Sequence, residues 1–161
     1  MRNLMEKMNQ SSTLRLNPTL ERLAAFSGEW EIEISSMSFH DDPAAVAHGH
    51  ASFDWLEDGA FLIQRSEISA PDFPRSTAII APDDAAEMYG MLYYDSRGVS
   101  RLYKMTLSGG IWTLWREFPG FSQRFNGTLS DDGKVITAYW EKSSDGSHWE
   151  HDFDITYTKA G

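Results

Sequence analysis

Residues 99–129 read VSRLYKMTLSGGIWTLWREFPGFSQRFNGTL, and the fold follows from how this stretch is punctuated. Three segments of strand composition, 99–107, 111–118 and 121–129, are separated only by Ser108-Gly109-Gly110 and Pro119-Gly120. Connections this short cannot carry a helical crossover, so the strands they join must pair antiparallel.

The same punctuation continues in both directions. Downstream, Asp131-Asp132-Gly133 and Ser144-Asp145-Gly146 bound a strand at 134–142. After it, Trp149, His151, Phe153, Ile155 and Tyr157 alternate with Glu150, Asp152, Asp154, Thr156 and Thr158, so one face is apolar and the other solvated. Upstream, strands are expected at 46–56, 60–68, 76–81 and 87–94, with turns at Glu57-Asp58-Gly59 and Asp95-Ser96-Arg97-Gly98. Trp30, Ile32 and Ile34 alternate with Glu31 and Glu33 to make the first strand. The total is about ten strands in up-and-down order. An open sheet of that kind would leave two exposed edges, and closure removes them. The expectation is therefore an all-β, antiparallel up-and-down barrel, with a two-sheet sandwich as the alternative. About ten strands should enclose a real cavity.

One short helix precedes the strands. Asn17 can cap it, Pro18 suits its first position, Leu20, Leu23 and Ala24 recur at helical spacing, and Gly28 can end it. At three turns or fewer it needs a partner, and a plug or lid on the barrel is expected. Residues 1–16 read as a flexible leader without the apolar run of a signal peptide, so 17–161 forms a single domain and the location is expected to be cytoplasmic. Asn126-Gly127-Thr128, a formal glycosylation sequon, would then be irrelevant.

Composition excludes much chemistry. With no Cys there is no disulfide scaffold, thiolate metal site or thiol nucleophile. Twenty-four carboxylates against 14 Lys and Arg, a net charge of -10, argue against nucleic-acid or anionic-membrane partners. No apolar stretch approaches a membrane span. No nucleophile elbow or phosphate-cradling glycine loop is present, and no catalytic residue is assigned.

Several elements together resemble the calycin superfamily, which includes lipocalins, fatty-acid-binding proteins and haem-binding nitrobindins. They are the helix leading into Leu23-Ala24-Ala25-Phe26-Ser27-Gly28-Glu29-Trp30, the segment Phe53-Asp54-Trp55-Leu56-Glu57-Asp58-Gly59-Ala60-Phe61-Leu62, the Tyr93-Tyr94-Asp95-Ser96-Arg97-Gly98 turn, and the ending Trp140…Asp145-Gly146…Trp149…Phe153. They are most similar to a bacterial family of calycin-like domains without an assigned function. The resemblance implies a barrel with an internal pocket and no catalytic residues. Nitrobindins hold haem through a His near the chain's end, whereas no His follows His151 here.

The candidate ligand-binding residues follow from strand faces. By alternation His151 shares the inward face of Trp149, Phe153, Ile155 and Tyr157, either as a buried His satisfied by a neighbouring carboxylate or carbonyl, or as a ligand-facing donor or haem ligand. Arg116 lies on the face of Trp112 and Leu114, Gln123 sits between Phe121 and Phe125, and Tyr139 with Glu141 follows Val135 and Thr137. Arg65, with Glu67, shares the face of Phe61 and Ile63. If these faces point inward, the cavity has aromatic walls and a few polar anchors, suited to an apolar or amphipathic small molecule. An inward Arg could hold an anion bidentately; the alternative is that Arg65 and Arg116 form ion pairs. His48 and His50 share one strand face and could seat a metal with His40 or Asp54, but the opposite face looks like the inner one and no metal site is assigned. Asp41-Asp42 and the carboxylates of 83–87 lie in expected loops, as solvated surface. The leading expectation is a binding barrel without catalysis. The alternatives are a haem-dependent activity on reactive nitrogen species and an interaction module, for example a homodimer, using the barrel exterior.

Overall fold

The computed structural model describes residues 18–83 and 87–161. The leader at 1–16, the Asn17 cap and the middle of the 83–87 carboxylate stretch lie outside the described residues. A five-residue helix, α1 (Pro18–Arg22), runs into a 3₁₀ turn (Leu23–Phe26). Ten strands follow: β1 (Gly28–Ser35), β2 (Ala47–Leu56), β3 (Phe61–Ile68), β4 (Ser76–Pro82), β5 (Tyr89–Asp95), β6 (Ser100–Ser108), β7 (Ile111–Arg116), β8 (Ser122–Leu129), β9 (Val135–Ser143) and β10 (Glu150–Lys159).

Each strand pairs antiparallel with the next, and β10 pairs with β1 from Trp30↔Lys159 to Ser35↔Asp154, closing the barrel. Turn chemistry sets these registers. Between β6 and β7, Ser108 faces Ile111 and the two-residue loop has Gly109 at φ 59° and Gly110 at φ 75°. A two-residue hairpin needs left-handed backbone at both positions, which glycine adopts at least cost.

The expected helix is α-helical only as far as Arg22; the rest winds more tightly before Gly28 starts β1. Leu20, Leu23 and Phe26 are buried and plug one end of the barrel. Phe26 stacks on Phe53 at 5.3 Å and packs against Trp112 at 4.7 Å. Trp30 Nε1–H donates to the Phe26 carbonyl at 2.7 Å, and the Tyr89 hydroxyl donates to the Thr19 carbonyl. Burial of three apolar side chains, each contributing about 1.5–3 kcal/mol, docks a helix too short to stand alone. At the other end the loops 36–46, 69–75, 96–99, 117–121 and 144–149 form the rim.

β10 departs from simple alternation. Its register with β9 shifts between His151 and Phe153, a bulge at Asp152. A bulge inserts one residue and reverses which face the preceding residues present. Phe153, Ile155 and Tyr157 therefore line the interior as expected, whereas His151 is exposed.

Candidate functional site

Between the plug and the open end lies a cavity of about 400 Å³. Its floor is Trp112, packed against Phe125 at 4.6 Å and Tyr157 at 6.0 Å, directly above Phe26. Higher on the wall, Trp140 contacts Phe125 at 5.1 Å and Tyr103 at 5.6 Å. Aliphatic contacts come from Ile32, Ile34, Met91, Leu114 and Ile155. At the rim Phe39, Phe73 and Phe153 pack edge to face, with centroids 5.6–6.3 Å apart.

The polar groups of the wall fall into three sets. The Tyr103 hydroxyl donates to Gln123 Oε1 at 2.8 Å, and Gln64 Nε2 donates to the Ser66 hydroxyl at 3.3 Å beside Tyr157. The Tyr93 hydroxyl donates to Asp95 Oδ2 at 2.8 Å, and Arg97 pairs with the same carboxylate at 2.8 Å. Lys142 at the rim stands 3.6 Å from Asp152. Burial pushes the hydroxyls of Tyr103 and Tyr157 upward, and it does the same to Tyr93, reinforced by the Asp95 carboxylate. Hydrogen bonds from Arg97, with that of Tyr93, hold Asp95 well below the usual carboxylate range. At neutral pH these phenols stay protonated, and those of Tyr93 and Tyr103 donate.

The expected site residues divide sharply. Gln123, 8% exposed, lines the cavity. Arg116 stands at the top of β7, outside the cavity lining, its guanidinium 4.6 Å from the Phe118 ring. Arg65 and Glu67 are exposed on the outer face of β3, because Leu62, Gln64 and Ser66 take the inner positions. Tyr139, Glu141, Trp149 and His151 are also outside. Glu141 pairs with Arg124 at 2.8 Å, Arg124 lies 4.1 Å over Trp149, and Tyr139 is 6.5 Å from the His151 ring. On β9 the inner face is Ile136, Ala138, Trp140 and Lys142, the phase opposite to the one expected.

His151 contacts Asp154 at 3.4 Å on the outside, and none of the five histidines lines the cavity. His151, the one residue considered as a haem ligand, thus cannot reach a group held in the lumen. His48 and His50 are exposed opposite Glu33 and Glu31 of β1. Among the described residues no three His, Asp or Glu side chains are grouped to hold a metal ion. No helix there is long and apolar enough to cross a membrane.

Sequence reasoning missed Arg101, Gln64 and Tyr103 as wall residues. Arg101, Tyr103, Met105 and Leu107 alternate with Leu102, Lys104, Thr106 and Ser108, so the signal was present in period two. An exposed Leu102 beside an inward Arg101 inverts the usual polarity of the two faces at that end of β6.

A family model described as "Protein of unknown function (DUF1579)" matches residues 17–113, from the plug to β7. The chain belongs to the DUF1579 family. No curated protein matches it. Among solved structures, it is similar to the crystal structure of Rv2717c from M. tuberculosis, with TM-score 0.66 and 11% identity over 91% of this chain and 99% of that one. At that identity the likeness establishes a shared fold, and the closed ten-strand barrel fits the calycin-like architecture expected. The DUF1579 match includes Gln64, Tyr93, Arg101, Tyr103 and Trp112, whereas Gln123, Trp140 and Lys142 of the same wall lie beyond it.

Proposed function

We propose that this DUF1579 chain is a binding barrel that holds a small apolar or amphipathic molecule without transforming it. The observation that carries this reading is the cavity itself. Despite a lumen rich in Trp, Phe and Tyr, about 400 Å³ remains between plug and rim, within the span of small-molecule sites. Aromatic and aliphatic walls would supply affinity by removing apolar surface from water, and the few polar groups would orient the ligand.

The test uses Ala78, a buried cavity-lining residue of β4. Its replacement by Phe fills the lumen from one wall. Native mass spectrometry of freshly purified protein should show a co-purifying small molecule, and Nile red should bind the emptied protein. Both should be lost in Ala78→Phe while the far-ultraviolet circular dichroism is retained. Absence of Nile red binding to the wild type, or equal binding by the folded variant, would refute the reading.

A further inference from the structure

We infer that the occupant is an amphipathic monoanion, its charged end held by Arg101 and Gln123 and its apolar body lying on the aromatic wall below them; this rests on the binding reading above. The argument is a count of which polar groups of the wall already have partners.

The donors are in excess. The Tyr103 hydroxyl accepts from Arg101 and donates to Gln123 Oε1, which leaves the Nε2 hydrogens of Gln123 without an acceptor among the described residues. Gln123 is 8% exposed, so they are not solvated as a surface amide would be. Arg101 lies on the same inner face as Tyr103, two residues nearer the rim. Its guanidinium stands 5.4 Å from the Phe121 ring and hydrogen-bonds the Tyr103 hydroxyl, and no carboxylate among the described residues pairs with it. At the floor, Trp112 Nε1–H is buried and also lacks an acceptor among the described residues.

The other cations of the cavity lining are matched. Arg97 is taken by Asp95, whose carboxylate also accepts from Tyr93. Lys142 pairs with Asp152, which accepts from Ser38 at 3.2 Å as well. Asp72 is a cavity-lining carboxylate without such a partner, and it is exposed on the loop between β3 and β4. The inner wall therefore presents a cation whose only side-chain partner among the described residues is the neutral Tyr103 hydroxyl, and an amide donor without an acceptor. A neutral hydrocarbon would leave the charge unmatched and the amide unsatisfied. A carboxylate or similar head group supplies the missing acceptors through charge-assisted hydrogen bonds, about twice as strong as neutral ones. The net charge of -10 opposes the approach of any anion, so selectivity for one has to come from local cations such as Arg101.

Isothermal titration calorimetry with decanoate and its neutral near-isostere decanamide separates the outcomes. The wild type should bind decanoate about tenfold or more tightly than decanamide, the scale of one charge-assisted hydrogen bond. In Arg101→Gln the gap should close by loss of decanoate affinity alone, with decanamide unmoved, and Arg101→Lys should restore part of it. Arg101 is half-buried at the rim, and thermal melts confirm that each variant is folded. Equal affinity for the two probes in the wild type, or an undiminished gap in Arg101→Gln, overturns the anionic assignment and leaves the binding barrel standing. Failure of both probes to bind overturns both.

Discussion

Two buried tryptophans differ in one respect that stability measurements can isolate. Trp30 and Trp112 are 0% and 1% exposed, but Trp30 Nε1–H donates to the Phe26 carbonyl at 2.7 Å whereas Trp112 Nε1–H has no acceptor among the described residues. Substitution of either by Phe removes the same atoms, and because Trp112 already borders the cavity whereas Trp30 does not, the packing cost at Trp112 is no larger than at Trp30. Trp30→Phe additionally strands a buried carbonyl, a cost of about 1–2 kcal/mol, while Trp112→Phe deletes an unsatisfied donor and recovers a similar amount. The two variants should therefore differ by roughly 2–4 kcal/mol, Trp30→Phe being the less stable. For a domain of this length each kcal/mol moves the melting midpoint by about 2–4 °C, so the midpoints should separate by roughly 4–16 °C. Guanidinium titration followed by far-ultraviolet circular dichroism, with equal m-values required, measures the difference directly. Equal stabilities, or Trp112→Phe as the weaker variant, would refute the hydrogen-bond accounting of the barrel floor.

Phe26→Ala should cost about 3–5 kcal/mol, because the ring is fully buried between Phe53 and Trp112; denaturant titration checks this, and a loss under 1 kcal/mol would show that the plug does not stabilise the barrel. Gly49→Ala should destabilise by about 1–3 kcal/mol, since a Cβ there would stand 2.2 Å from the Glu67 carbonyl and 2.8 Å from Ile68 Cα, forcing β2 away from β3; wild-type stability would contradict the close approach. Asp95 is held below its ordinary range by Arg97, so its contribution is complete above about pH 4 and is lost as pH falls through the folded value. Asp95→Asn should accordingly flatten the acid limb of the stability curve, and an unchanged limb would count against the pairing. Burial raises Tyr89, Tyr93, Tyr103 and Tyr157, so their contribution is present below about pH 10 and is lost as pH rises through the folded values; in an absorbance titration these phenols should ionise only as the protein unfolds.

Much of the site was illegible for physical reasons that differ by strand. On β7, Trp112 and Leu114 mark the inner face, but Arg116 stands at the strand end, where its chain leans over Phe118 at the rim. On β9 both faces carry aromatic residues, Tyr139 and Trp140, so alternation alone left the phase undecided, and packing of Trp140 against Tyr103 and Phe125 resolves it. On β10 the phase was readable from Phe153 to Tyr157 and was lost at Asp152, because one inserted residue reverses every side chain beyond it. Arg101 was overlooked because an inward Arg beside an outward Leu102 contradicts the ordinary polarity of a strand.

By itself the sequence determined the approximate strand number and the up-and-down order, since these follow from local alternation and from turns mostly too short for any other connection, while the choice of a closed barrel over a sandwich was decided by the pairing of β10 with β1. Even the plug was legible as an amphipathic segment too short to stand alone. Which face of each strand meets the lumen, whether the lumen is filled, and which polar groups find partners were decided only in three dimensions. Those properties depend on the bulge in β10, on how ten side-chain sets share one interior, and on pairings such as Asp95 with Arg97 that leave Arg101 without a carboxylate partner.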